Sequence, residues 1–552
     1  MNRIRKVKCD EGHPACRRCI SSGRVCDGYG IWGGGGNFYG QRQRPEAARD
    51  DTVIPLPARV SFLIFDAAEK DYFDWFKCRT LMKIPASFRS HFWTTLLLQA
   101  SLVEPAVLHS VLALSSVHRG VTINGGCQEQ NNNASDKVEQ LTLQHYLRAI
   151  RHLQPHFAAR DRASFRVALI ACVVFVSLDF LRGHFAAAQI HLQNGLKLLG
   201  EMHSLSGENQ ELLLLGPCSE GVDEWIFEAF SRLNIQVELF KYFHPHPFLL
   251  LQSVEPGPPS PTFSTFKMAW HELDGLLNKI FYLTKQSREH EAEHTSVRQS
   301  LELLDRQQHV RTELARWLVT YEASREILRG SLSLGGRLAV EEEQAYQGIR
   351  IYHTMMTIMA EMCLCSSDEG AFDSHTNMFV HMIRQQVDLW IVDSTMHSSG
   401  APQGHIFDIS RSTIDLGVIA PLYYVAVKCR VHRIRLQAIR LLETIFSREG
   451  IWDGKIAACV SRKVMELEER DYYRSIDTAD DFPLSSYPSA RDLSLSLVPE
   501  CYRIRDLEVV LLGEPMDKVL LFCKQKQDGM NCRVCIGEYH VQSQRWMDVD
   551  GK

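Results

Sequence analysis

From about residue 58 onward, apolar positions recur every three or four residues, the spacing of helices that bury one face. Leu143, Tyr146, Leu147, Ile150 and Leu153 fall on one such face, and Phe185, Ala188, Leu192, Leu196 and Leu199 on another. Glu104-Pro105 opens a helix expected to end near His118, with proline in the first turn, where its missing N–H costs nothing. Residues 171–200 read as two helices broken near Arg182-Gly183, and small residues at Ala186, Ala187, Ala188 and Gly195 allow them to pack closely as a hairpin. No stretch alternates as a half-buried strand does, so no sheet is expected. Polar, glycine or proline clusters around 131–136, 216–223 and 255–261 punctuate an all-α bundle.

Composition leaves that reading intact. With 552 residues, 45% of them hydrophobic and 23% charged, the chain has room for a small module beside one large or two medium domains. The amino terminus is basic and cysteine-rich with no apolar signal core, and the longest near-apolar run, 168–178, is too short to cross a bilayer. An intracellular protein with no membrane contact is expected. Residues 28–57 are glycine-rich, end in prolines and carry no apolar period, as a linker does. Their four consecutive glycines lack the Gly-Lys-Ser/Thr of a phosphate loop, and no heptads follow to form a coiled coil.

The chemistry is concentrated in residues 1–27, where Cys9, Cys16, Cys19 and Cys26 read C-x6-C-x2-C-x6-C. Two thiolates two residues apart reach one metal from a tight turn, and the six-residue arms return the other two to the same point. A segment this short buries too little apolar surface to fold alone, so zinc would be its core.

The stretch from Arg3 to Tyr29 resembles the six-cysteine binuclear zinc cluster of fungal transcription factors. In that family two zincs share six thiolates, and a short helix carries basic residues into the major groove. Cys9, Cys16, Cys19 and Cys26 match the third to sixth cysteines and Pro14 the loop proline. The second cysteine falls at Asn2 and the first upstream of Met1, so the motif is expected to have lost its start, as with an unread exon. As written, four thiolates hold at most one zinc, where the intact motif holds two. His13 reads as a solvated loop residue rather than a substitute ligand. Residues 73–120, 168–200, 225–240 and 418–454 resemble the helical regulatory domain that accompanies such clusters. The resemblance therefore implies a truncated zinc module at 1–27, a linker at 28–57, a helical regulatory domain at 58–470 and a partly helical or irregular extension at 471–552.

Charge points the same way. Residues 1–27 carry seven basic side chains against three acidic ones, net +4, whereas the whole chain is −5 and the remainder therefore −9. Arg5 and Lys6 match the family positions that read base edges, with Arg3 and Lys8 beside them for phosphate or base contact. The implied partners are promoter DNA, a second copy of the chain and the transcription machinery, in the nucleus, on RNA polymerase II promoters. The alternative is a protein of the same ancestry that no longer binds DNA specifically and acts through partners. No small-molecule effector is named by any residue.

Other motifs weigh less. His290-Glu291-Ala292-Glu293-His294 spells the H-E-x-x-H of zinc proteases, but its surroundings are polar on every face and no third ligand follows, so an enzyme is not expected. Cys532 and Cys535, with Cys523 nearby, form a second C-x2-C without a fourth thiol. Trp93, Trp225, Trp270 and Tyr423-Tyr424 read as core residues before pocket residues. His109, His118, His145 and His152 sit on helical stretches as surface or satisfied core groups.

Overall fold

The computed structural model describes residues 66–83, 90–124, 132–159, 161–204, 213–215, 221–240, 251–253, 261–293, 297–331, 337–365, 368–397, 412–474, 480–527 and 530–547. Residues 1–27 and 28–57 lie outside them.

Helix α1 (Ala67–Trp75) starts at Asp66, whose carboxylate accepts the Glu69 N–H at 2.7 Å, and runs on through a π-helical turn at Phe76–Thr80. A second π turn (Phe92–Leu96) leads into α2 (Leu97–Val103), followed by α3 (Pro105–Asn124), α4 (Asn132–Ala159), α5 (Arg162–Arg182) and α6 (Phe185–Ser204). Helix α3 begins at the expected proline and passes His118 by six residues. It packs on α1, α4 and α5.

The expected hairpin is α5 and α6. Gly183 turns left-handed (φ 77°), and the N–H groups of Gly183 and His184 close back on the carbonyls of Phe180 and Asp179, satisfying the helix end. Phe185, Ala188, Leu192, Leu196 and Leu199 are all buried, as their spacing requires. Gly195 is the point of closest approach: a Cβ there would lie 2.4 Å from the Phe230 ring and 2.7 Å from the Cys172 sulfur. Gly195→Ala is therefore expected to destabilise the body by about 1–3 kcal/mol through overpacking. A thermal melt unchanged from wild type would contradict that packing.

Helix α5 corrects one expectation. The 168–178 run continues into a helix of 21 residues, long and apolar enough by length and composition to cross a membrane, yet 94% of its apolar window is buried inside the protein. It is a core helix, walled by α3, α4, α6 and the next helix, α7 (Val222–Phe240).

Helix α4 corrects another. Leu143 and Leu147 are 42% and 61% exposed, and the buried stripe is Thr142, His145, Ala149, Leu153 and His156. Leu153 is common to both faces and Tyr146 and Ile150 are half-buried against the core, so the expected face is buried in part and the helix also carries two imidazoles inward.

Beyond α7 come α8 (Phe266–Glu293), α9 (Val297–Ser331), α10 (Arg337–Met362) and α11 (Thr376–His397). A tight trio follows, α12 (Ile419–Lys428), α13 (His432–Glu443) and α14 (Gly454–Glu469), mutually in contact. Short strands pair at β1 (Leu213–Leu215) with β2 (Leu251–Ser253) and at β3 (Arg448–Glu449) with β4 (Trp452–Asp453).

The absence of a sheet was the expectation most clearly overturned. After a four-residue helix, α15 (Ala490–Leu493), the extension ends in an antiparallel meander: β5 (Glu508–Gly513), β6 (Met516–Gln527), β7 (Met530–His540) and β8 (Arg545–Met547). Its inward face is Val519, Leu521 and Cys523, which alternate correctly for a strand. The outward positions Leu520 and Phe522 are also apolar, so the run Val519–Cys523 hides the alternation. The sheet docks on the α5–α6 turn, where Met516 N–H donates to the Gly183 carbonyl at 2.9 Å and Glu514 accepts the Ala187 N–H at 3.1 Å.

Candidate functional site

The residues expected to hold zinc, Cys9, Cys16, Cys19 and Cys26, and those expected on DNA, Arg3, Arg5, Lys6 and Lys8, lie outside the described residues. The sites with described geometry are polar clusters inside the helical body.

The first is the inward face of α4. Nδ1 of His109 on α3 lies 3.2 Å from Nδ1 of His145, and the His152 ring stacks on His109 with centroids 5.5 Å apart. Glu69, in the first turn of α1, joins them: one ligand atom from each of Glu69, His109 and His145 falls within 4.8 Å of the others. Arg148 Nη1 donates to Glu69 Oε1 at 3.0 Å. Burial lowers the pKa of His109 to about 4, helped by His145, His152 and Arg148, and burial with Arg148 lowers that of His145 to about 4. Both imidazoles are neutral near pH 7. The spacing along the chain places these histidines on helices but could not bring them together, because the apolar period of α4 says nothing of His145.

The second cluster is a clamp. Arg232 on α7 is buried and donates through Nε to Asp415 at 2.9 Å and through Nη1 to Asp274 at 2.8 Å, with its guanidinium 5.0 Å from the Trp270 ring centre. Beside it, Glu449 accepts the N–H groups of Gly417, Val418 and Ile419 at 2.9–3.0 Å, capping α12. Burial pushes its carboxyl up to about 7 against those three donors. A third cluster, at the α12–α14 trio, pairs Lys428, Arg430 and Arg435 with Glu369, Glu468 and Glu469. Both clusters join elements distant in sequence and have the character of ties rather than reaction centres.

The expected aromatic residues are structural. Trp93, Trp270, Tyr423 and Tyr424 are buried, and Trp225 lies against His91 with ring centres 5.1 Å apart. Tyr423, Phe240, Trp452 and Met516 line an apolar cavity of about 10 Å³, room for about one water and not for an effector.

His290 Nε2, near the end of α8, faces Ser300 Oγ at 3.2 Å, and His294 lies outside the described residues. Cys532 and Cys535 fall three apart in the regular part of β7, opposite Gln525 and Phe522, so their side chains leave opposite faces of the sheet. They cannot converge on one metal.

Comparison with known proteins completes the picture. Residues 3–31 match the fungal Zn(2)-Cys(6) binuclear cluster domain, and residues 70–233, from α1 into α7, match the fungal specific transcription factor domain. The chain carries the two domains of a fungal zinc-cluster transcription factor. Such a protein binds DNA, and its amino-terminal module holds zinc. Similar proteins are themselves regulators. The aspercryptin biosynthesis cluster-specific transcription regulator atnN of Emericella nidulans is 23% identical, with 85% of this chain and 86% of that one covered. Transcription regulator lscL of Purpureocillium lilacinum is 27% identical over 36% of this chain and 48% of its own. An uncharacterized transcriptional regulatory protein of Schizosaccharomyces pombe is 28% identical over 22% and 23%. No solved structure matches the chain. The glutamate–histidine cluster of α1, α3 and α4 sits at the start of the stretch that matches the fungal specific transcription factor domain.

Proposed function

We propose that the protein is a nuclear, sequence-specific regulator of RNA polymerase II promoters, without catalytic chemistry of its own. The observation that carries the reading is the cysteine spacing at 9–26 beside a basic run, in a segment that matches the zinc-cluster domain. Cys9, Cys16, Cys19 and Cys26 hold zinc, and Arg5 and Lys6 reach base edges in the major groove. Arg3 and Lys8 hold the neighbouring phosphates and set the register. The helical body from about residue 58 gates activation, supports self-association and meets the transcription machinery. The likeness to atnN over 85% of the chain, a protein named for one biosynthetic cluster, supports a target set of the same kind: genes that lie together and act in one biosynthesis.

The readers are tested by selecting a duplex from a random pool with the wild-type protein, then titrating Arg5→Ala and Lys6→Ala against it. Each is expected to cost about 1–3 kcal/mol and to relax preference at one position of the site. Binding to the selected duplex unchanged in both would overturn the assignment. A wild-type chain that selects no sequence, and binds weakly with steep salt dependence, would instead favour the partner-binding alternative.

A further inference from the structure

We propose that Glu69, His109 and His145 form a binding site for a late first-row divalent cation of the zinc class, inside the helical body and separate from the amino-terminal cysteines. Two imidazoles and one carboxylate are the donor set that suits such ions, and they leave a fourth position for water or a further ligand. The two Nδ1 atoms are 3.2 Å apart, close to the edge of about 3.3 Å that two nitrogens make on one tetrahedral zinc at Zn–N distances of about 2.0–2.1 Å. The carboxylate belongs to the same cluster, with all three ligand atoms within 4.8 Å of one another.

The ligands come from three separate helices, α1, α3 and α4, and no local turn brings them together. Helix α4 is oriented so that two leucines of its apolar stripe face out while His145, 2% exposed, faces in. Without a cation the histidines satisfy each other, one Nδ1–H donating to the other Nδ1. With a cation, the donor's proton moves to its own Nε2 by tautomer exchange, and both Nδ1 lone pairs turn to the metal with no net loss of charge from the protein. His152 stacks on the His109 ring, with centroids 5.5 Å apart.

Two nearby groups set the affinity. Arg148 occupies one oxygen of Glu69 and repels a cation, but its side chain is 49% exposed and can turn to solvent. Asp66, whose carboxylate caps α1 and acts on His145, adds a favourable field. A bound cation would pin α1, the first described helix of the chain, to the α3–α4 pair.

The test is zinc binding by the full-length chain at equilibrium dialysis, read as equivalents per chain and as the zinc-induced rise in the body's melting temperature. The amino-terminal thiolates contribute equally to every variant. Wild type is expected to hold one equivalent more than His109→Ala, Glu69→Gln to weaken that equivalent by at least about tenfold, and Arg148→Ala to tighten it. His109 and Glu69 carry the test because His145 is buried and its loss could harm the fold; both variants are checked for wild-type helicity without zinc. Equal zinc equivalents and an equal melting shift in wild type, His109→Ala and Glu69→Gln would overturn the proposal.

Discussion

Replacing Glu468 by alanine is expected to destabilise the helical body by about 3–5 kcal/mol, because it removes the carboxylate that two buried cations share. Glu468 lies on α14 and is fully buried. Its Oε1 accepts from Arg430 Nη2 at 2.9 Å and from the Ile504 N–H at 2.8 Å, and Arg435 Nη1 lies 2.8 Å from Oε2. Burial alone would push the carboxyl up, but Arg435 and Arg430, with the Ile504 N–H, hold it below its usual value. Arg435 is also buried, and its other contacts are the Ala426 carbonyl and the more distant Glu469. Arg430 keeps Glu369 and two carbonyls, so Arg435 bears most of the loss. Glu468→Gln retains a hydrogen-bonding oxygen and is expected to cost less, about 1–3 kcal/mol. Denaturant unfolding of the full-length chain measures both. Equal midpoints for wild type and Glu468→Ala would mean that the network carries no net stability.

That network also marks where reading the sequence stops. Residues 428–440 show a basic helical stretch, which alone suggests a solvated face. Its acidic partners lie at 369, 468 and 469, and no local spacing announces that they converge. Elements set by local chemistry were legible: Pro105 opens α3, and Gly183 divides α5 from α6, because a proline first turn and a left-handed glycine act within a few residues. The inward turn of His145 on α4 was not. The spacing of Leu143, Tyr146 and Leu147 describes an apolar face truthfully, but how much of it is buried is decided by how α3 and α5 pack on α4, which no spacing within α4 records. The carboxyl-terminal sheet failed for a different reason. Apolar residues on both sides of β6 erase the period of two, and β7 adds a bulge opposite Leu521 and Phe522. For the zinc module the situation is reversed: a cysteine spacing is a local signal, and it named the chemistry.

Cys16→Ser is expected to abolish sequence-specific DNA binding while leaving the melting of the helical body unchanged. The two effects separate because the module is too small for an apolar core and the body has its own, from Phe73 through Leu521. In such modules metal binding supplies the folding free energy, about 10–16 kcal/mol for structural zinc near neutral pH. A serine hydroxyl at position 16 is a poor zinc ligand at neutral pH and breaks the C-x2-C turn that the other arms close upon. Arg3, Arg5, Lys6 and Lys8 remain, so attraction to phosphate persists without a scaffold to aim it. Affinity for the selected duplex should fall by about a thousandfold or more, to the level of a scrambled one, and the residual binding should vanish as salt rises. Chelating zinc from the wild type should reproduce this, with readdition restoring it. Retained preference for the selected duplex in Cys16→Ser would show that the four thiolates are not the scaffold that presents Arg5 and Lys6.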